Sequence, residues 1–323
     1  MKTPLLLLPL LALSLSSSPH AAPPDITAQD SINTFACRFY AQLRTQKGNL
    51  FFSPLSISYA LAVAGAGARG DTATQMEQVL HMSLSTERGA QAFAELMQGL
   101  NAAQKDEQAR MEMANALWPS ETFSMRPEYV DAAKKYYNTA IVPVDYQHSH
   151  AAVAHINAWV QKETRNRIPK LLGPDAVSRN TRLVLVNTVY FNARWLSPFK
   201  PHATKPELFH APNKKATVPF MSQLGVYKYG EVNNVQIVEL PYRGGAFSML
   251  VLLPAKKPGA LEKLEKAFSP KQLAAWSGAL TQQKVRVSLP KFKLNWGPSP
   301  LNEMLIALGC RMLFQQNGLI LEA

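Results

Sequence analysis

Cysteine is scarce in this 323-residue chain, which contains only Cys37 and Cys310. Two cysteines are too few for the disulfide framework that holds many small secreted domains together. Cys37 lies among Phe35, Phe39 and Leu43 on the apolar face of a predicted helix, so we expect it to be a buried free thiol. A bridge between Cys37 and Cys310 in an oxidising compartment stays open, because the sequence does not show whether the two lie close together.

The sequence also lacks the motifs on which much enzyme chemistry depends. It contains no P-loop and no G-x-S-x-G elbow, so the alternative of a secreted hydrolase has no identifiable nucleophile. His148, His150 and His155 resemble a metal site only weakly, since Asp145 is the one candidate for a fourth ligand. We therefore predict a protein that is not an enzyme, with no catalytic residues, no metal site and no cofactor.

Acidic residues are fewer than basic ones, with 22 Asp and Glu against 34 Lys and Arg and a formal net charge of +12. Such an excess favours attraction to polyanions. The basic residues are nevertheless dispersed, and no Lys/Arg-rich block interleaved with aromatic residues occurs. We expect a solvated basic surface and no nucleic-acid partner, while a polyanion-binding site stays open.

Long apolar runs are absent after the N-terminus. Residues 5–15 form an apolar run that follows Lys2 and precedes a small, polar stretch ending at Ala21 and Ala22. This order is typical of a secretory signal peptide, and the run is too short to cross a membrane. The sequence therefore predicts a signal peptide over residues 1–22, a single mature domain over residues 23–323, and a secreted location, extracellular or periplasmic, without membrane attachment.

Helical periodicity dominates the first half of the chain, and strand patterns dominate the second. The predicted helices cover residues 28–45, 72–80, 88–103, 127–137 and 150–165, with two short ones at 261–268 and 270–277. Predicted strands cover residues 111–118, 181–191 and most of the chain after 216. The run at 181–191 is rich in β-branched residues and should be buried on both faces. Helices followed by strands, without strict alternation, predict one α+β domain.

The most informative stretch is residues 49–75. Ser53 with the following proline favours a helix start, and residues 56–64 are apolar nearly all round, which predicts a buried helix. The glycines at 65–70 should end that helix. They also fit the dinucleotide-binding pattern G-x-G-x-x-G, but that pattern requires a preceding strand, and residues 56–64 lack strand alternation. Residues 72–75 predict a capping box for the next helix.

This stretch resembles the N-terminal pattern of the serpin family, N-x-F-x-S-P-x-S-I followed by a buried helix and G-A-x-G-x-T-x-x-Q. Further patterns of the family follow in order at residues 156–159, 164–172, 183–195, 219–223, 240–242, 289–293 and 301–314. The resemblance covers residues 32–314, nearly the whole predicted mature chain. It implies the serpin fold, an α+β arrangement of several helices around three β-sheets.

The resemblance implies a serine-type endopeptidase inhibitor that works once, with a serine protease as its partner. In such an inhibitor the protease attacks a bait bond on an exposed reactive loop and forms an acyl-enzyme. The cut loop then inserts into the central sheet as a new strand, and the trapped protease is distorted. This mechanism requires a sheet that opens and a loop that enters it.

Five positions match the parts of the family that let the sheet open. Ser53, Ser56 and Asn187 match the shutter, a polar cluster under the central sheet whose side chains exchange hydrogen bonds as strands separate. Trp195 and Lys291 match the breach, where the loop first enters. By residue type alone, Ser53 and Ser56 also suit a helix start, and Trp195 suits ordinary core packing.

After Phe314 the family continues with a strand carrying a shutter histidine, then the hinge, the reactive loop and the last core strands. Residues 315–323 match none of these. We therefore expect the reactive loop and the last strands to be missing, through a frameshift, a premature stop or an incomplete gene model, and the chain as it stands to be inactive. A non-inhibitory serpin-fold binding protein, or a remnant, is the alternative. The target protease stays open, because the reactive loop decides it.

Missing strands would leave apolar sheet edges unpaired. Residues 183–189 and 247–253 are the strands that we expect to be exposed in this way. Unpaired N–H and C=O groups along such an edge are a template for pairing with another chain. The sequence therefore predicts self-association through an open sheet edge.

Overall fold

The computed structural model describes residues 6–8, 27–84, 86–104, 109–210, 215–294, 301–314 and 319–322. The helices are α1 (Ala28–Leu43), α2 (Pro54–Gly67), α3 (Gly70–Leu80), α4 (Glu87–Ala103), α5 (Pro127–Tyr137), α6 (Ser149–Glu163), α7 (Ala260–Lys266), α8 (Pro270–Gly278) and α9 (Asn302–Leu308). The strands are β1 (Leu6–Leu8), β2 (Ala109–Pro119), β3 (Thr139–Ile141), β4 (Leu183–Ala193), β5 (Thr204–His210), β6 (Lys215–Val232), β7 (Val235–Pro241), β8 (Ser248–Pro254), β9 (Thr281–Pro290) and β10 (Leu319–Glu322). This order confirms the predicted α+β class.

The strands form two sheets within the described residues, where the resemblance implied three. One sheet has the order β1-β8-β7-β6-β5 with β9 also paired to β6, and the other has the order β10-β4-β2-β3. The larger sheet is continuous because β6 is 18 residues long. The first part of β6 pairs with β5, its middle pairs with β9 and its last part pairs with β7, so one strand joins two regions that would otherwise be separate sheets.

The four-stranded sheet is built on β2 and β4, which are antiparallel and paired over their whole lengths. Helix α6 covers one face, where Trp118 and Val186 pack with Ile156. Helix α2 covers the other face, where Leu185 and Ile57 belong to the main core. The first half of β4 is thus buried on both faces, as its sequence predicts, whereas the second half is partly exposed.

Helix α2 is buried on nearly all sides, as its apolar sequence predicts. Ser53 caps it, because the Ser53 hydroxyl oxygen accepts the Ser56 N–H at 3.2 Å. The helix ends at Gly67, within the glycine stretch that the sequence predicted would end it, although Gly65 itself does not interrupt it. Gly65 allows close packing instead, since a Cβ at this position would lie 2.3 Å from Leu84 Cδ1.

Helix α3 starts earlier than the sequence suggested. Its first residue is Gly70, so Thr72 and Gln75 lie inside the helix, and the predicted capping box does not form. The side-chain oxygen of Gln75 instead accepts the backbone N–H groups of Arg311 and the next residue, at 2.8 and 2.9 Å. Gln75 thereby ties α3 to the turn that follows α9.

Cys37 and Cys310 are both buried and free, and both belong to the main hydrophobic core. Burial raises the pKa of the Cys37 thiol to about 12 and the pKa of the Cys310 thiol to about 11. The predicted buried free thiol at Cys37 is confirmed. The bridge that the sequence left open is not formed.

Two short strands come from the ends of the chain. Strand β1 falls within the predicted signal peptide, whose other residues lie outside those described, and pairs antiparallel with β8, Leu7 opposite Val251. Strand β10 falls after Phe314 and pairs in parallel with β4, Leu319 opposite Leu183. Parts of both edges that the sequence predicted to be open are therefore paired. No helix within the described residues has the length and apolar character that a membrane crossing requires.

Candidate functional site

A polar cluster lies between α2 and the middle of the four-stranded sheet. The Ser56 hydroxyl donates a hydrogen bond to Asn187 Oδ1, and Asn187 Nδ2 donates one to Asn115 Oδ1. Asn187 thus uses both ends of its side-chain amide. Ser53 joins the cluster through the backbone of Ser56, as the helix cap. The structure therefore brings two predicted shutter residues into direct contact and places the third beside them.

The backbone explains why these side chains meet. Asn115 and Asn187 are directly opposite each other in the β2–β4 register. Side chains alternate along a strand, so Asn187 shares the α2-facing side of the sheet with Leu185. Ser56 lies in the first turn of α2 and is 8% exposed, and Asn115 is 6% exposed. Polar groups buried to this degree need hydrogen-bond partners, so the cluster holds together as a unit.

Asn115 is a member of this cluster that the sequence analysis did not identify. Its strand was predicted, but the residue itself carries no motif. The available signal was its type, because asparagine is depleted in strands and rarely buried without a partner. A buried asparagine on a strand beside β4 would have indicated a polar partner for Asn187.

One edge of β4 is open over part of its length. Strand β2 occupies one side of β4 throughout, and β10 occupies the other side only at residues 183–186. Within the described part of the chain, no strand pairs with residues 187–193 on that second side. This open segment starts at Asn187 of the polar cluster and runs towards Trp195. Unpaired N–H and C=O groups on such an edge accept an added strand.

Trp195 lies just beyond β4 in an aromatic cluster. Its ring stacks on Tyr242 with 4.4 Å between centroids and an angle of 10°, and it meets Phe199 edge-on at 6.4 Å. Tyr242 also contacts Phe191 of β4 at 5.3 Å, and burial raises the pKa of Tyr242 to about 12. Leu196 N–H donates to the carbonyl of the residue before Tyr242 at 2.9 Å. These contacts fix the end of β4 to the larger sheet.

Lys291 follows β9 in the same region. Its backbone N–H donates to the Pro219 carbonyl at 2.8 Å, and its side chain is exposed. Leu289, two residues earlier, shares a hydrophobic cluster with Trp195. The two predicted breach residues are therefore held by neighbouring parts of one cluster, and Lys291 makes no ion pair with the residues that the structure describes.

His148 and His155, two of the three histidines considered as metal ligands, contact different residues. His148 Nδ1 lies 2.7 Å from Asp145 Oδ2 on the surface, and this contact lowers the pKa of the Asp145 carboxyl. The ring of His155 instead packs edge-on against Trp118, with 5.2 Å between centroids. Among the described residues, no group of three or more His, Cys, Asp or Glu side chains is placed to hold a metal ion.

Comparison with known families agrees with this geometry. The family model described as Serpin (serine protease inhibitor) matches residues 30–322 of the chain. The match continues past Phe314, so the expectation that the resemblance ends there is wrong. Strand β10 lies within the additional matched segment.

Similar proteins cover most of the chain. An uncharacterized serpin-like protein of Thermococcus kodakarensis is 37% identical over 286 residues, which are 88% of this chain but only 66% of that protein. The leukocyte elastase inhibitor of Homo sapiens is 34% identical over 84% of this chain and 73% of its own length. The structure of ovalbumin from emu (Dromaius novaehollandiae) has a TM-score of 0.82 at 31% identity and covers 90% of this chain and 79% of ovalbumin. Relatives such as the leukocyte elastase inhibitor are named as inhibitors and not as enzymes, and the chain belongs to the serpin family.

Proposed function

We propose that this chain is the strand-accepting scaffold of a secreted inhibitor of serine endopeptidases. The observation that carries the proposal is the open edge of β4 at residues 187–193, which begins at the polar cluster and ends near the aromatic cluster of Trp195. An inserted strand would satisfy the unpaired backbone groups of this edge. Serine proteases are proposed as partners because human leukocyte elastase inhibitor is a relative.

The polar cluster supports strand insertion for a chemical reason. When β4 moves relative to α2, the hydroxyl of Ser56 and the amides of Asn187 and Asn115 have several donors and acceptors to exchange. An apolar contact in the same place would offer no replacement partner for a shifted backbone group. The cluster therefore stabilises the closed sheet. Because its polar groups can take new partners during the movement, breaking these hydrogen bonds costs less than it would without replacement partners.

Protease trapping also requires a bait bond on a reactive loop. We infer from the sequence patterns that the hinge and the reactive loop are not contained in residues 1–323. We therefore propose that this polypeptide, tested by itself, accepts a strand but does not trap a protease. Incubation with elastase-like, trypsin-like and chymotrypsin-like proteases should give no SDS-stable complex. A complex formed at a near-equimolar ratio would contradict this part of the proposal.

A non-inhibitory binding role is the second candidate. The similarity to emu ovalbumin favours it, because that protein is not named as an inhibitor. In this case the open edge of β4 would capture an extended peptide or a second copy of the chain as its final function. Under this second candidate function, self-association of the chain without peptide would be part of its function. It would not indicate that a strand is missing from the sheet.

Strand acceptance is testable with a synthetic peptide. We suggest an acetylated peptide of alternating Thr and Ala that is long enough to pair with residues 187–193. Its control carries the same side chains but N-methyl groups on alternate backbone nitrogens, which remove hydrogen-bond donors. At about 100 times its Kd, the peptide should stabilise the chain by about 2.7 kcal/mol and reduce its oligomers on size-exclusion chromatography. Equal effects of the two peptides, or no effect of either, would contradict the proposal.

A further inference from the structure

The turn after α6 has an unusual backbone. Arg165 and Asn166 both have positive φ, at 51° and 61°. Arginine seldom adopts this left-handed conformation, and such residues persist where their surroundings hold them. The Arg165 N–H donates to the Lys162 carbonyl at 3.1 Å, which fixes the turn at the end of the helix. The side chain of Arg165 extends from this turn onto the four-stranded sheet.

On the sheet, Arg165 contacts two strands at once. Its Nε lies 3.0 Å from Glu112 Oε2, and its Nη2 donates to Glu112 Oε1, so the pair is bidentate. The guanidinium also lies 5.2 Å from the centre of the Tyr190 ring. Glu112 of β2 and Tyr190 of β4 are directly opposite each other in the strand register. One side chain therefore joins α6, β2 and β4.

The other contacts of α6 lie further along the same strands. Trp159 meets Trp118 of β2 edge-on at 5.9 Å, and Ile156 packs with Val186 of β4. The apolar contacts hold the body of the helix over the buried half of the sheet. Arg165 holds the end of the helix over the half in which β4 is partly exposed and its opposite edge is open.

We propose that Arg165, Glu112 and Tyr190 form a latch that keeps α6, β2 and β4 together as one rigid unit. The role of the latch rests on the proposed function. Because β2 and β4 stay fixed to each other, an added strand is accepted at the opposite edge of β4. The latch adds a side-chain connection from α6 to the β2–β4 pair, which the backbone ladder already holds together.

The ordinary alternative is a surface ion pair with little effect. The side chains of Arg165 and Glu112 are 48% and 41% exposed, and many pairs at such exposure contribute nothing measurable. Two features distinguish the latch from such a pair. It combines a bidentate geometry with an aromatic contact, and it uses a turn in which two consecutive residues have positive φ.

Hydrogen exchange on the full chain tests the latch directly. Arg165→Lys keeps the charge but removes the planar fork, and Glu112→Gln keeps the shape but removes the charge. Each variant should increase exchange about tenfold in the last turn of α6 and in the paired residues around Glu112 and Tyr190. The double variant should exchange no faster than the single ones, because one latch is lost in each case. Lys162→Gln is the matched control, since the Lys162 side chain is 82% exposed and, among the residues that the structure describes, forms an ion pair only with its neighbour Glu163, at 4.0 Å.

The location of the change decides the outcome. Faster exchange confined to the latch region supports the inference, whether or not the Thr/Ala peptide binds the chain. If the peptide fails to bind while the latch result holds, only the proposed function is contradicted. An unchanged exchange pattern overturns the latch. So does an equal increase at the buried residues Leu61 and Phe93, because it would show general destabilisation instead of local release.

Discussion

Asn187 is the residue whose removal tests the polar cluster most sharply. Its amide accepts from the Ser56 hydroxyl and donates to Asn115 Oδ1, and both partners are less than a tenth exposed. Asn187→Ala leaves each of these buried groups without its partner. A buried polar group left unsatisfied costs about 1–3 kcal/mol, so two of them give a loss of about 2–6 kcal/mol. This is a large fraction of the roughly 5–15 kcal/mol that stabilises a typical protein.

The loss is measurable by urea and thermal unfolding followed by circular dichroism. In a domain of about 300 residues, about 1 kcal/mol corresponds to about 1.5 °C in Tm, so Asn187→Ala should lower Tm by at least about 3 °C. Asn192→Ala is the matched control, because Asn192 lies on the same strand with an exposed side chain. Its effect should stay within about 0.5 kcal/mol.

A double-mutant cycle separates the cluster from general packing. Ser56→Ala should cost less in the Asn187→Ala background than in the native chain, because the hydroxyl has already lost its acceptor. Full additivity of the two changes would refute the reasoning. So would a Tm for Asn187→Ala that equals the Tm of the Asn192→Ala control.

Three further predictions concern pH, the thiols and export. Burial and the nearby Arg38 lower the pKa of His81, so its contribution to stability should be complete above about pH 6.5 and be lost as the pH falls below that value. His81→Asn, which suits the positive φ of this position, should flatten the dependence of Tm on pH between 7 and 5, and an unchanged dependence would contradict the assignment. Cys37 and Cys310 should not react with Ellman's reagent at pH 8 in the folded chain, and both should react after unfolding; rapid reaction of the folded chain would contradict their burial. N-terminal sequencing of exported protein should find a start close to Pro23, whereas exported protein that starts at its first methionine would contradict the signal peptide.

Much of the fold was predictable because the sequence carries strong local patterns. Helix α5 has the predicted limits, and β4 has the buried first half that its β-branched run indicates. The positions of Ser56 and Asn187 were predictable only through the family resemblance, since no local pattern links residues that are 131 positions apart. Their contact depends on which face of β4 meets α2, and that is a tertiary property.

The errors in prediction have the same origin. Gly65 was grouped with the glycines that end α2, but the helix runs on to Gly67, and the missing side chain of Gly65 serves contact with Leu84, which follows a different helix. Gln75 was expected to cap its own helix, but it binds the backbone of Arg311. Asn115 was not identified because its partner lies on a neighbouring strand. In each case the residue's role depends on a long-range contact that local sequence patterns do not reveal.

The open edge of β4 is the central claim, and amide hydrogen exchange along β4 tests it most directly. In the free chain, amides within residues 187–193 that point away from β2 should exchange rapidly, and amides of the same strand that point towards β2 should be protected. Addition of the Thr/Ala peptide should protect the exposed set, and the N-methylated control should leave it unchanged. Strong protection of every amide at residues 187–193 in the free chain, or no new protection with peptide bound, would contradict the account.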